Sequence, residues 1–331
     1  MKKVVLAIVL TLGMQATAQT LTLSTSAEIS IITCGPWQGE LYSAFGHSAI
    51  RVYDPVNGLD DAYNYGVFDF NQPNFYLNYT RGLLLFKLGI YPYRDFRDYY
   101  AYYNRYVIEQ ILDLSQDQKQ KIYEYLEWNA RPENETYRYD YFYNNCSSVI
   151  RDVFVKNLKD SIHFDDSFVK TDYTIRQLTD LYLKQQPWGD LGIDICLGLP
   201  MDKKATPYEY MFLPDYLEYF FDHATVTRNG ETVPIVKLKI PVYRPHPQAE
   251  PKSWFHPWVA FGAFLAITIG LCIYDLRRKK LSKWFDVIVF GVVGLIGILL
   301  LILWTATDHA AAAKNFNLLW ALPTHVFVFL I

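Results

Sequence analysis

Two stretches near the C-terminus restrict the architecture more than anything else in the chain. Trp254 to Tyr274 and Val287 to Thr307 contain no Asp, Glu, Lys or Arg. A helix rises about 1.5 Å per residue, so about 20 apolar residues cross a hydrocarbon core of roughly 30 Å. Both stretches meet that length. The connector between them holds Arg277, Arg278, Lys279, Lys280 and Lys283. Such loops stay on the cytoplasmic side. The chain before Trp254 and the loop after Thr307 therefore face the other side. A third apolar run, Leu318 to Ile331, is too short to span. The reading is two full spans, at about 254–274 and 287–307, and a third that is truncated.

The N-terminus agrees with that topology. Lys2 and Lys3 precede an apolar stretch from Val4 to Met14, and Ala16-Thr17-Ala18 has the form of a signal-peptidase site. Residues 1–18 read as a signal peptide. Residues 19–245 read as one periplasmic domain, large enough for a sizeable core. Residues 246–331 are linker and membrane region. The linker is dense in proline from Pro241 to Pro257, which suits a stiff spacer close to the bilayer. The expected location is the inner membrane, with the soluble domain on the periplasmic side. A net charge of −3 gives no sign of a nucleic-acid partner.

Strand and helix signals alternate without a βαβ rhythm, which predicts an α+β domain. Ala27–Thr33 reads as a strand. Residues 47–70 read as a hairpin around Asp54-Pro55 and Asn57-Gly58. On its second strand Ala62, Asn64 and Gly66 share one face, opposite Tyr63, Tyr65 and Val67. Phe96–Asn104 reads as helical and Arg105–Leu112 as a strand. Ser115 and Gln118 form a capping-box pattern for a helix running to about Asn129. Further helices are expected from Cys146 to Asn157, from Thr174 to Gln185 and from Met201 to Phe221, and a final strand over Val233–Ile240.

The chemistry concentrates in two short segments. Phe45-Gly46-His47-Ser48-Ala49-Ile50-Arg51 places a histidine at the mouth of a strand. Asn144-Asn145-Cys146-Ser147-Ser148 places a cysteine at the start of a helix. The helix dipole and free N–H groups lower a thiol's pKa, and an imidazole in reach makes it a nucleophile. Cys146 is the candidate nucleophile and His47 the candidate general acid/base. Asn64 is the candidate that orients His47. Asn145 and Ser147, which flank the thiol, are candidate substrate contacts. So are Arg51, which could meet a phosphate or sit in a buried ion pair, and His309, which could touch a lipid headgroup or simply be solvated.

The chain has four cysteines. Cys272 lies in a span as an apolar filler. The other three lie where disulfides persist, and an odd number leaves one thiol free. The preferred version is a Cys34–Cys196 bridge with Cys146 free; a bridge from Cys34 to Cys146 would abolish the nucleophile. No Cys/His spacing suits a metal ligand set, so no metal or cofactor is expected.

Histidine on a strand before cysteine on a helix reverses papain's order and resembles the circularly permuted NlpC-type branch of the papain-like fold, to which lecithin:retinol acyltransferase belongs. More closely, Thr33-Cys34-Gly35-Pro36, the FGHSAIR segment, Tyr63-Asn64-Tyr65-Gly66, Asn145-Cys146-Ser147 and Phe212-Leu213-Pro214-Asp215 resemble the Lnb family. That resemblance implies a permuted papain-like periplasmic domain followed by membrane helices, engaged in lipoprotein N-acylation. It implies a phospholipid acyl donor, a Cys146 thioester and a lipoprotein acceptor. Two other readings stay open on the residues alone. One is a cell-wall peptidase or amidase using the same Cys–His pair. The other is a non-catalytic membrane-anchored binding protein.

Overall fold

A computed structural model describes residues 21–68, 70–247 and 255–330. The expected signal peptide lies outside the described residues, as do linker positions 248–254. The soluble part is mixed helix and strand, and two long apolar helices follow it.

Its centre is a seven-stranded antiparallel sheet. In chain order the first elements are β1 (Glu28–Cys34), β2 (His47–Asp54), β3 (Leu59–Val67), α1 (Phe75–Thr80), β4 (Leu85–Pro92), α2 (Tyr93–Tyr102), β5 (Val107–Leu112), α3 (Gln116–Asn129), β6 (Thr136–Arg138) and α4 (Cys146–Leu158). Then come β7 (Ile162–His163), α5 (Ile175–Leu183), α6 (Pro187–Cys196), α7 (Pro207–Tyr210), α8 (Pro214–Asp222), β8 (Thr225–Arg228), β9 (Glu231–Pro234) and β10 (Val236–Tyr243). The sheet order is β10-β5-β1-β2-β3-β4-β6, and β7, β8 and β9 form a small second sheet.

The hairpin forms where the turn residues demand it. Asp54 Oδ1 accepts from the backbone N–H of Val56, and Gly58 takes φ +69°. β1 lies inside the sheet, and helices cover both faces there, so almost every residue of it is buried. One face carries Ile29, Ile31, Ile50, Val52, Tyr63 and Tyr65 into the main core, together with residues of α3, α4 and α8. The other carries Ile32, Cys34, Ala49 and Ala62 beneath Tyr93, Phe96 and Tyr100 of α2. His47 and Asn64 fall on this second face by the alternation of their strands.

The helix starts follow their caps. Ser115 and Thr174 both form capping boxes, on α3 and α5. The expected helix over Met201–Phe221 is broken into α7 and α8. Pro214 has no N–H to continue a helix and instead occupies the first turn of α8. The helices α1 and α6 were not expected, nor were the strands β4, β6, β7 and β8. The final strand is also divided: Ile235 separates β9 from β10, its N–H bonded to Ala224 O and its carbonyl accepting from Asp113 N–H.

The spans are α9 (Pro257–Arg278) and α10 (Lys283–Thr305). Beyond α10, short 3-10 turns over Phe316–Leu319 and Pro323–Leu330 run against it. Gly294 and Gly297 allow the close approach: a Cβ on Gly297 would lie 2.1 Å from Ala321 O.

Candidate active site

Cys146 is the first residue of α4, and its position is set by Asn145. The Asn145 side chain accepts from Ser148 N–H at 2.9 Å, and Asn145 N–H donates to Ser148 Oγ at 2.8 Å. Asn145 Nδ2 reaches the carbonyls of Tyr141 and Phe212. Every polar arm of this side chain is thus used to fix the helix start. Below the thiol, Ser147 Oγ bonds Ser48 Oγ at 3.1 Å, which docks α4 on β2.

That docking puts Cys146 at the end of β2, against His47. The thiol and the imidazole both border the space at Gly66, close enough that each acts on the other's ionisation. The other side of the ring is taken: His47 Nε2 lies 2.6 Å from Asn64 Oδ1. An amide oxygen only accepts, so Nε2 carries a proton and Nδ1 is the ring nitrogen left to take the thiol's proton. The alternation in β3 had placed Asn64 on this face, and the structure puts it on His47.

Electrostatics favour an ionised pair. Burial pushes the Cys146 thiol up, but the His47 charge, its hydrogen bond, the Ser48 N–H and the Ser147 hydroxyl outweigh it and bring it down to about 7. Burial pulls His47 down, yet the Cys146 thiolate and the bond to Asn64 hold it above its ordinary value. The helix N-terminus offers more: among the described residues no acceptor takes the N–H of Cys146 or Ser147. Those groups are available to an oxyanion on a carbonyl attacked by the thiolate.

Three features of this site escaped the sequence reading. Gly66, at φ +93°, removes a side chain that would stand 3.7 Å from Cys146 Cβ and 4.0 Å from His47 Cε1. Tyr100 stacks on His47, with ring centroids 5.9 Å apart. Arg105 is buried, lies over the Tyr100 ring at 4.6 Å and donates to Gly35 O. No carboxylate pairs with it among the described residues, and its Nη2 has no partner there. The one available signal was the Tyr-rich run before Arg105, but nothing in it indicates which rings meet the dyad.

Other expectations need correction. Arg51 is not available for a phosphate. It bonds Asp60 at 2.7 Å and Glu109 at 3.0 Å and stacks over Tyr93 at 3.8 Å. It also lies four residues, roughly 13 Å, along the strand from His47. The side chains of Asn145 and Ser147 hold α4 in place, so the contact left to substrate at these positions is the Ser147 backbone N–H. His309 packs against Gly82 and makes no contact with the dyad among the described residues.

The Cys34–Cys196 bridge does not form: both thiols are free. Cys34 ends β1 opposite His47, sealed among the side chains under α2, and burial pushes its thiol well up. Cys196 ends α6, beside the loop that follows α10. Cys146 is also free.

Away from the dyad, Asp180, Asp190 and Asp194 bring carboxylate oxygens within 4.8 Å of one another. Burial raises Asp180 to about 6, and Arg176 pairs with Asp194 at 2.8 Å. Arg176, paired with Asp194 and Asp202, already moderates this cluster's charge.

Comparison with protein families gives two matches. A model described as the Lnb N-terminal periplasmic domain matches residues 15–180. A model described as the Lnb transmembrane domain matches residues 249–331. Neither curated proteins nor solved structures match.

Proposed function

The chain belongs to the Lnb family, and from that premise we propose that it is a membrane-anchored thiol acyltransferase. It has a periplasmic domain and a membrane region, and we place it in the inner membrane. Its donor is a phospholipid and its acceptor the N-terminal amine of a diacylglyceryl lipoprotein.

The Cys146 thiolate attacks an ester carbonyl of the phospholipid. The oxyanion forms where the N–H groups of Cys146 and Ser147 point. The carbonyl–oxygen bond to glycerol breaks, and protonated His47 gives its proton to the departing oxygen. A lysophospholipid leaves, and the acyl chain remains on Cys146 as a thioester. The neutral amine of the acceptor then attacks the thioester carbon. His47 takes the amine proton, the carbon–sulfur bond breaks and the thiolate returns with the amide product. Each proton that His47 gives in the first half is recovered in the second.

The observation that carries this reading is the line Cys146–His47–Asn64 in a domain held against the outer loop of its own spans. Gly198 N–H donates to Ala311 O at 2.7 Å, and Asn315, 2% exposed, donates to Ile195 O. The surroundings suit an acyl-enzyme that must outlive contact with water. Tyr100 and Tyr139 flank the pair, and Cys146 itself is buried. A tethered enzyme also meets two lipid-anchored substrates at high effective concentration.

The test is reconstitution of the full chain in phospholipid vesicles with a diacylglyceryl lipopeptide, read by mass spectrometry. N-acylated lipopeptide is expected with the native chain and none with Cys146→Ala. Product formation by Cys146→Ala, or a native chain that hydrolyses peptidoglycan peptides instead, would overturn the reading.

A further inference from the structure

Several side chains that a water-soluble surface would cover stand open on one flank of the domain. Tyr42 is 64% exposed, Phe70 60%, Tyr76 75% and Leu77 56%. From Phe70 to Thr80 the chain has no Asp, Glu, Lys or Arg. The two lips, one at Leu41–Tyr42 and one at Phe70–Thr80, meet through Phe68. Its ring touches Tyr42 at 6.2 Å and Phe70 at 4.9 Å.

Both lips adjoin the outer end of a span. Arg81 O, one residue past α1, accepts from Asp308 N–H at 2.8 Å, three residues beyond the end of α10. Gly82 leaves no room there: a Cβ on it would lie 2.9 Å from the Asp308 backbone. On the other side, Leu41 lies against Gly189 of α6. The neighbouring Trp188 stacks on Phe255 and donates its indole N–H to Phe255 O, just before α9 begins. The ends of the two spans fix the plane of the outer interface, so the lips stand at that plane. Aromatic residues are enriched there because their rings suit the headgroup region.

The rings continue inward. Phe68 contacts Phe86 at 5.2 Å, and Phe86 stacks on Tyr139 at 4.3 Å. Tyr139 borders the space at Gly66 that Cys146 also borders. A row of ring contacts thus runs from the exposed lips to the residues around the thiol.

We propose that these lips sit in the outer leaflet of the bilayer and that a phospholipid acyl chain passes between them to Cys146. The inference rests on the acyl-transfer reading for the passage of the chain, but the placement in the leaflet stands apart from it. Lipid is the occupant because the spans hold the lips at the bilayer surface. A covered protein interface at this flank is the competing outcome.

Two measurements test it on the full chain in vesicles. The first uses a phosphatidylcholine with a diazirine in its acyl chain. Photolysis should attach lipid within 70–80 as well as to α9 and α10. Labelling of the spans without 70–80 overturns the placement, whatever the enzyme's activity. The second compares thioester formation at Cys146 from vesicle phospholipid and from p-nitrophenyl acetate. A Tyr76→Glu/Leu77→Glu variant should lose roughly tenfold or more with the phospholipid and react normally with the small ester. Val56→Glu, on the exposed β2–β3 turn, should match the native chain with both. Equal rates for the double variant and the native chain with phospholipid, or an equal fall with both donors, overturn the proposed passage. A native chain that accepts only the small ester counts against the acyl-transfer reading and leaves the photolabelling result standing.

Discussion

His47 Nε2 and Asn64 Oδ1 lie 2.6 Å apart, joining neighbouring strands β2 and β3 at the edge of the site. This bond fixes the plane of the imidazole and commits Nδ1 to Cys146. Asn64→Ala removes the acceptor. The bond raises His47, so its loss lowers the pH at which His47 releases its proton. The acyl-transfer rate should fall on the order of tenfold to a hundredfold. A pH–rate profile with its imidazole limb moved down checks this. A fall in rate with no movement of that limb would mean that Asn64 serves only packing.

Cys146 should be alkylated as a thiol that ionises near neutral pH. Its thiolate dominates above about 7 and declines below it. In His47→Ala the charge and hydrogen bond that lower the thiol are gone, while burial still raises it. The iodoacetamide profile should then move to higher pH, above the ordinary cysteine range. At pH 7 the labelling rate should drop by roughly tenfold or more, since each pKa unit changes the thiolate fraction about tenfold. An unchanged profile would place the source of activation in the helix alone.

Much of this site could be read from residue order and strand alternation. Cys146 opens a helix after an Asx-rich turn, and His47 follows a glycine that the structure holds at φ +85°. Both are local signals. Arg51 shows where locality ends. Its face was legible, but its partner Glu109 lies two strands away, reached across Ser30, which pairs with Arg51. That contact depends on β5 joining β1, which no local pattern reveals. α6 was missed for a different reason. Pro187, Gly189 and Gly192 are poor helix formers, and much of the helix's support comes from the distant segment around Asn315 and Asn317. Arg105 over Tyr100 is likewise a product of how α2 folds back on the sheet.

Arg105 is a buried cation beside the dyad, and its charge lowers His47. Arg105→Gln should therefore shift the imidazole limb of the pH–rate profile upward, the reverse of Asn64→Ala. Arg105→Lys keeps the charge but loses the planar stack on Tyr100 and the geometry of the bond to Gly35. It should restore the pH limb more fully than it restores stability, measured as Tm. Matching limbs in the native chain and Arg105→Gln would show that the guanidinium does not act on His47.

The glycine before the histidine carries a backbone requirement. Gly46 has φ +85°, and a Cβ there would lie 2.9 Å from Cys34 O. The left-handed conformation costs a non-glycine residue about 1–2 kcal/mol, and the contact with a backbone oxygen adds to it. Gly46→Ala should lower Tm by several degrees and reduce Cys146 labelling, because the residue that moves is next to His47. Gly58 also has positive φ, at +69°, but open space around it. Gly58→Ala should cost the backbone term alone and leave labelling unchanged.

The contact between the domain and the outer loop sets a choice between two kinds of interaction. Arg138 and Asp308 form an ion pair at 3.1 Å, with both side chains about half exposed. Exposed pairs of this sort contribute about 0–1 kcal/mol, because water screens them and ordering long side chains has an entropy cost. Gly198 offers the contrast. Its N–H donates to Ala311 O, and a Cβ on it would lie 1.9 Å from Ala313 O. Neither backbone can give way without breaking that bond, and overpacking of this kind costs about 1–3 kcal/mol. Asp308→Ala should therefore leave amide exchange over 310–317 nearly unchanged in vesicles, while Gly198→Ala should speed it clearly. If the loop's seat also places the domain for reaction, Gly198→Ala slows Cys146 acylation from vesicle phospholipid and leaves p-nitrophenyl acetate untouched. Faster exchange in Asp308→Ala than in Gly198→Ala would reverse the ranking and make the ion pair the principal attachment.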